Sequence, residues 1–161
     1  MEMCNGIDDD CDGAVDFGAL DAVAFYQDAD GDSYGAGSAL IACSAHQDYV
    51  ADDSDCDDSD ANTFPGSAPN DSTTDCMTDA DNDDYGDMFV SGSVTAGSDC
   101  DDSSAEINGL DGDGDGQSLC AGDCDDTDPL LEGLDQDAYG YSTCDEDCDD
   151  LDSTTYPGAA Y

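Results

Sequence analysis

The sequence predicts a mostly irregular, small-β fold. The expectation is of tandem calcium-loop repeats with short strands and hairpins, stapled by disulfides, elongated, with little or no helix. Three observations carry it. The tetrapeptide Asp-Cys-Asp-Asp occurs four times in 161 residues, beginning at Asp55, Asp99, Asp123 and Asp147, and a motif that recurs so often marks a repeat protein. Lys and Arg are absent against 44 acidic residues, for a formal net charge of −44. Ten cysteines, an even number, point to a disulfide framework in an oxidising compartment.

The kind of acid matters as much as the number. Only Glu2, Glu106, Glu132 and Glu146 are Glu; the rest are Asp, a poor helix former whose short carboxylate suits turns and calcium loops. The 38% hydrophobic fraction leans on Ala and Cys, and Trp is absent, so no large core is expected. Nucleic acid and anionic membranes are excluded as direct partners, because neutralising phosphates requires Lys or Arg. Zinc thiolate sites are not usually embedded in Asp runs. Nothing singles out a catalytic pair among the acids, and there is no nucleophile with its base, no phosphate loop and no cationic group for an oxyanion. The lone His46 suits a surface role. The expectation is a non-enzyme.

Five segments follow in order: an N-terminal Cys/Asp metal motif (1–24) and four calcium repeats (25–75, 76–109, 110–133 and 134–161, the last including a junction to a next unit). In the first, Asp8, Asp10 and Asp12 alternate and Gly13 follows, matching the start of a calcium loop, with Asp16 further on. Ala19 stands where a full EF-hand loop has its bidentate Glu. Cys4 and Cys11 flank this loop.

The run from Ala19 to Tyr26 suits a strand. It leads into Asp28, Asp30 and Asp32, with Tyr34 at the position that supplies a backbone carbonyl, then to Asp55, Asp57, Asp58 and Asp60, and Phe64-Pro65-Gly66 reads as a closing turn. The second repeat offers Asp79, Asp81, Asp83 and Tyr85, an expected hairpin through Phe89–Val94, then Asp99, Asp101 and Asp102. The third offers Asp111, Asp113, Asp115 and Gln117, then Asp123, Asp125, Asp126 and Asp128. The fourth has Asp135 and Asp137, then Asp147, Asp149, Asp150 and Asp152, one loop Asp fewer than the others. Phe64, Ile107, Leu131 and Tyr156 follow the four repeat cysteines at similar spacing, each with a Gly two residues on; these are the expected apolar plugs between units. Asn70-Asp71-Ser72 matches an N-glycan acceptor.

Clustered Asp carboxylates repel one another by on the order of a few kcal/mol per close pair near a surface. A hard divalent cation with oxygen ligands converts that repulsion into a site. Several calcium ions are therefore expected, in preference to magnesium, which keeps its waters and demands a small rigid octahedron.

Cys4-Asn-Gly-Ile-Asp-Asp-Asp-Cys-Asp-Gly, the Asp-Ala-Asp-Gly-Asp-Ser-Tyr-Gly loop, and Asp-Cys-Asp-Asp followed by Pro-Gly-Ala resemble the MopE-type metal-binding repeats of bacterial secreted and surface proteins. The alternate-Asp loops with interleaved cysteines are also similar to thrombospondin type 3 repeats. The resemblance implies secreted, calcium-loaded, disulfide-bonded modules of structural role. Read end to start, Tyr156–Tyr161 joined to Met1–Gly6 nearly restores the family unit. The expectation is therefore one period of a tandem array, or subunits meeting head to tail in a filament whose partners are copies of itself. Met1 is followed directly by the Cys-rich motif, so an extracellular protein of this kind would be the mature portion of a longer one. A secreted metal scavenger and a cell-surface adhesion module are the alternatives. Sequential disulfides are expected, Cys4–Cys11, Cys43–Cys56, Cys76–Cys100, Cys120–Cys124 and Cys144–Cys148.

Overall fold

The computed structural model describes residues 1–159. Ala160 and Tyr161, through which the expected end-to-start junction runs, lie outside them. The chain divides into two compact units, Met1–Thr78 with Ser91–Thr95, and Asp79–Val90 with Ala96–Tyr161.

In the first unit, the apolar run becomes β1 (Val23–Gln27), which pairs antiparallel with β2 (Ala36–Ala42) on one edge and with β3 (Tyr49–Val50) on the other. Val23, Phe25 and Tyr26 favour a pleated, half-buried surface, and Phe25 turns into the small core. The strand stops where the alternating Asp residues begin, because Asp side chains offer the backbone local hydrogen bonds that compete with a ladder. The Asp28–Asp32 loop is thus the connection of a β-hairpin. Gly35 closes it where nothing larger fits: a Cβ there would sit 2.8 Å from the Gln27 carbonyl oxygen and 2.9 Å from Val50 Cγ2.

A second hairpin joins β4 (Thr63–Pro65) to β5 (Cys76–Thr78). The Thr63 and Thr78 hydroxyls meet at 2.8 Å, and Met77 and Ala68 are buried nearby. Phe64 and Pro65 therefore belong to a strand, and the expected turn starts at Gly66, whose φ is 82°. Pro65 ends the strand, where its missing N–H costs the ladder least.

The second unit is held by turns. Among its described residues it has one parallel bridge, Asp87 with Asp99, and single 3-10 turns at Leu119–Ala121 and Thr143–Asp145. No α-helix occurs among the described residues. The hairpin expected through Phe89–Val94 is absent. Ser91, Gly92 and Ser93 break the apolar alternation, and Phe89 stays 72% exposed, so that stretch has no face to bury.

The buried set is inverted relative to an ordinary domain. Its apolar members are Ala19, Phe25, Ala68 and Met77, whereas its polar members include Asp79, Asp99, Asp123, Asp147 and Asp150. Apolar burial of this extent cannot organise a chain of this length. The expected plugs are only half-buried; Phe64 stacks on Tyr34 with centroids 5.3 Å apart, and Tyr156 on Tyr139 at 4.4 Å.

Disulfides supply order instead, and they overturn the sequential pairing. The bonds are Cys4–Cys43, Cys56–Cys76, Cys100–Cys120 and Cys124–Cys144, the last three each spanning 20 residues, while Cys11 and Cys148 are exposed thiols. Within the third Asp-Cys-Asp-Asp block Asp123 is buried and Cys124 exposed, since neighbouring side chains leave extended backbone on opposite sides. The first three motif cysteines each bond a cysteine further along the chain, and Cys148 of the fourth block stays a thiol.

Two tests follow from this fold. Replacing Cys100 and Cys120 together by Ser should lower stability by about 3 kcal/mol, the effect of opening a loop of this length, read as a drop in thermal midpoint at constant calcium. Glu146 occupies the left-handed position (φ 68°) that Gly122 fills in the preceding repeat. Glu146→Gly should therefore stabilise the chain by roughly 0.5–1 kcal/mol, measured by denaturant unfolding.

Candidate metal centre

Each alternate-Asp loop is shaped by its own carboxylates. In the first repeat Asp28 accepts the N–H groups of Gly31 (2.7 Å) and Ser33 (3.2 Å), and Asp32 accepts that of Tyr34 (2.8 Å). The second repeats this with Asp79 accepting from Asn82 and Asp84, and Asp83 from Tyr85. In the third, Asp111 accepts from Gly114 and Gly116, and Asp115 from Gln117. These bonds curl the backbone so that the first, third and fifth side chains turn inward and the ones between point to solvent.

The Asp-Cys-Asp-Asp block closes each loop. Its fourth residue accepts the N–H that follows the loop's first Asp: Ala29 to Asp58 (2.6 Å), Ala80 to Asp102 (2.7 Å), Gly112 to Asp126 (2.8 Å) and Gln136 to Asp150 (3.3 Å). Its first residue accepts the N–H two positions on, at 2.8–3.0 Å in all four repeats. One motif and one loop, distant in sequence, thus form one carboxylate cluster. In the first repeat, one oxygen from each of Asp28, Asp30 and Asp58 lies within 4.8 Å of the others, as does one from each of Asp30, Asp32 and Asp55.

The decisive feature is what these oxygens lack. Asp30, Asp32, Asp55, Asp81, Asp99, Asp113, Asp115, Asp123, Asp135, Asp137 and Asp147 each have a buried carboxylate oxygen with no hydrogen-bond partner. Asp99 is fully buried, at 0% exposure. Burying a carboxylate without compensation is strongly unfavourable, and no Lys or Arg exists to compensate it. Burial accordingly raises the pKa of Asp32, Asp55, Asp81, Asp99, Asp113 and Asp137, with neighbouring carboxylates adding to the effect. It pushes Asp102 up to about 6.

Other acids named from the sequence sit elsewhere. Asp57, Asp101, Asp125 and Asp149 are all exposed, and the first three accept a hydrogen bond from the Ser59, Ser103 or Thr127 hydroxyl two residues on. Asp60, Asp128 and Asp152 cap the turns that follow their blocks. In the N-terminal motif Asp8, Asp12 and Asp16 accept nearby backbone N–H groups, and Asp8 and Asp10 cluster with Glu2. Tyr139 stands in the fourth loop where the first three have their third Asp, and its N–H goes to Asp137 (2.9 Å).

Three contributors escaped the sequence reading. Glu2 is buried and accepts the N–H groups of Asp10 (2.8 Å) and Asp16 (3.0 Å); the rarity of Glu in this chain was its one signal. Asn108 donates its amide to Asp83 at 2.6 Å. Glu132 accepts the Gln117 and Gln136 side-chain amides, linking the third loop to the fourth.

The donor set is oxygen-rich and hard, which suits calcium-like cations. The cysteines that fall within the clusters around Asp99 and Asp123 are disulfide sulfurs, not thiolates. His46 packs edge-on to Tyr49 and belongs to no cluster described above. In the first three repeats the motif cysteines are thus unable to supply the thiolate that copper and zinc favour; the fourth block keeps Cys148 as an exposed thiol.

A carboxyl whose folded pKa is raised above its ordinary 3.8 stabilises the fold when protonated, and that contribution is lost as pH rises through the folded value. The metal-depleted protein should therefore melt at a lower temperature at pH 7 than at pH 4.5, the loss due to Asp102 running from its ordinary 3.8 up to about 6. Thermal melts followed by circular dichroism test this.

Comparison with known families supports the binding of a metal. No curated protein and no solved structure matches the chain. The MopE-type copper-binding family model, described as "Putative metal-binding motif", matches residues 1–16, 55–83, 99–116, 123–131 and 147–160, more than half of the sequence. The matched stretches take in all four Asp-Cys-Asp-Asp blocks and the loops at Asp79 and Asp111, and the chain belongs to this MopE-type metal-binding family.

Proposed function

We propose that this is a non-enzymatic, extracellular calcium-binding structural protein, a unit of a head-to-tail filament or tandem-repeat fibre. The observation that carries the proposal is the recurrence of buried, partnerless carboxylate oxygens at equivalent places in four repeats of a chain without a basic side chain. Oxygen-only shells built from loop carboxylates favour calcium over the softer metals. Four disulfides are those of a protein outside the reducing cytoplasm. No helix among the described residues is long and apolar enough to cross a membrane.

The mechanism is linkage. An ion that binds only the folded chain stabilises it by RT ln(1 + [L]/Kd), about 2.7 kcal/mol per site at a hundredfold excess over Kd. Several such sites would dominate the stability of a chain with so few buried apolar side chains. Units of this kind stack on their neighbours, and the exposed Phe17, Phe89, Leu130 and Leu151 offer apolar surface for contact between copies.

Excess EDTA should expand or unfold the protein and disperse any filaments, and calcium should restore both, followed by circular dichroism, light scattering and electron microscopy. Unchanged signals in EDTA would sink the calcium reading. A calcium-stabilised monomer without filaments at any concentration would remove the polymer while leaving the calcium.

A further inference from the structure

We infer that each of the first three repeat centres holds two cations, bridged by the middle carboxylate of the loop: Asp30, Asp81 and Asp113. The inference rests on the calcium reading and specifies its stoichiometry.

The geometry of the first centre carries it. Its two triads, Asp28–Asp30–Asp58 and Asp30–Asp32–Asp55, each gather their oxygens within 4.8 Å and share only Asp30. Calcium–oxygen bonds of about 2.3–2.6 Å place opposite ligands of one ion roughly 5 Å apart, so each triad has the dimensions of one coordination shell. Two shells with one carboxylate in common describe a bridged pair.

The second centre supplies an independent mark. Both oxygens of Asp81, the counterpart of Asp30, are buried with no close hydrogen-bond donor, and Asp30 and Asp113 each keep a buried, partnerless Oδ2 beside an Oδ1 that accepts the N–H two residues on; a carboxylate so placed can present an oxygen to each of two ions. Beside it stands Asp99, at 0% exposure and with its own partnerless Oδ2.

Charge points the same way. Five carboxylates converge in each of these centres: three from the loop, and the first and fourth of the Asp-Cys-Asp-Asp block. One divalent ion would leave three negative charges in a desolvated cluster with no basic side chain to balance them. Two ions leave one. In the fourth repeat Tyr139 replaces the third loop Asp, so the second shell loses a carboxylate and the inference stops at the third.

The test is an ion count on the whole chain, equilibrated with calcium, desalted and measured by native mass spectrometry. Asp81→Ala should lose two ions relative to the parent protein, and Asp101→Ala, at an exposed position of the same repeat, none. Loss of one ion or none from the Asp81 variant overturns the bridge. Because that variant could unfold its repeat, the parent is counted too: more calcium ions than the five Asp-rich loops are expected, and five or fewer overturn the inference with the calcium reading intact. A parent that retains no calcium overturns the calcium reading itself.

Discussion

Everything in this structure answers to the mutual repulsion of carboxylates that have no basic partner. In an ordinary acidic protein the charges spread over the surface and Lys or Arg side chains relieve the worst contacts. Here the acids of each repeat are drawn together and partly buried, and the protein groups that meet them are mostly backbone N–H donors, joined by uncharged side chains such as the Asn108 amide on Asp83. Those donors satisfy one oxygen of most of the inward carboxylates and leave the other facing its neighbours. A polypeptide folded in this way is built around a cation's place rather than around a core.

That constraint explains why apolar packing has so small a part. Phe25 and Met77 each serve a short sheet, and the aromatic plugs pack against loop tyrosines at half-buried positions. Covalent bonds do what a core would otherwise do. The bonds Cys100–Cys120 and Cys124–Cys144 tie one repeat to the next instead of closing a repeat on itself. In the first three blocks, carboxylate clustering within a repeat and cross-linking between repeats are thereby assigned to adjacent residues of one tetrapeptide.

Much of this was legible in the chain. The alternate-Asp spacing located the loops, because local hydrogen bonds from Asp side chains to following N–H groups depend on nearest neighbours alone. The run ending in Phe25 and Tyr26 announced a strand for the same kind of reason. What could not be read were distances between segments. Sequential cysteine pairing failed because proximity along the chain says little about which way a side chain points. The hairpin expected through Phe89–Val94 failed because its apolar residues find nothing to cover them. Among the acids, Asp57 and Asp58 are equivalent by composition, yet one is exposed and the other accepts the Ala29 N–H across the centre.

The sequence by itself therefore determined the loop chemistry, the shortage of core and the reliance on disulfides. Each of these follows from residue type and short-range spacing. Only the tertiary structure decided which block carboxylates face the centre, that Glu2 is buried beneath the N-terminal loop, and that the disulfides run between repeats. These depend on bringing residues from 8 to 39 positions apart to within bonding distance, and no local propensity encodes that approach.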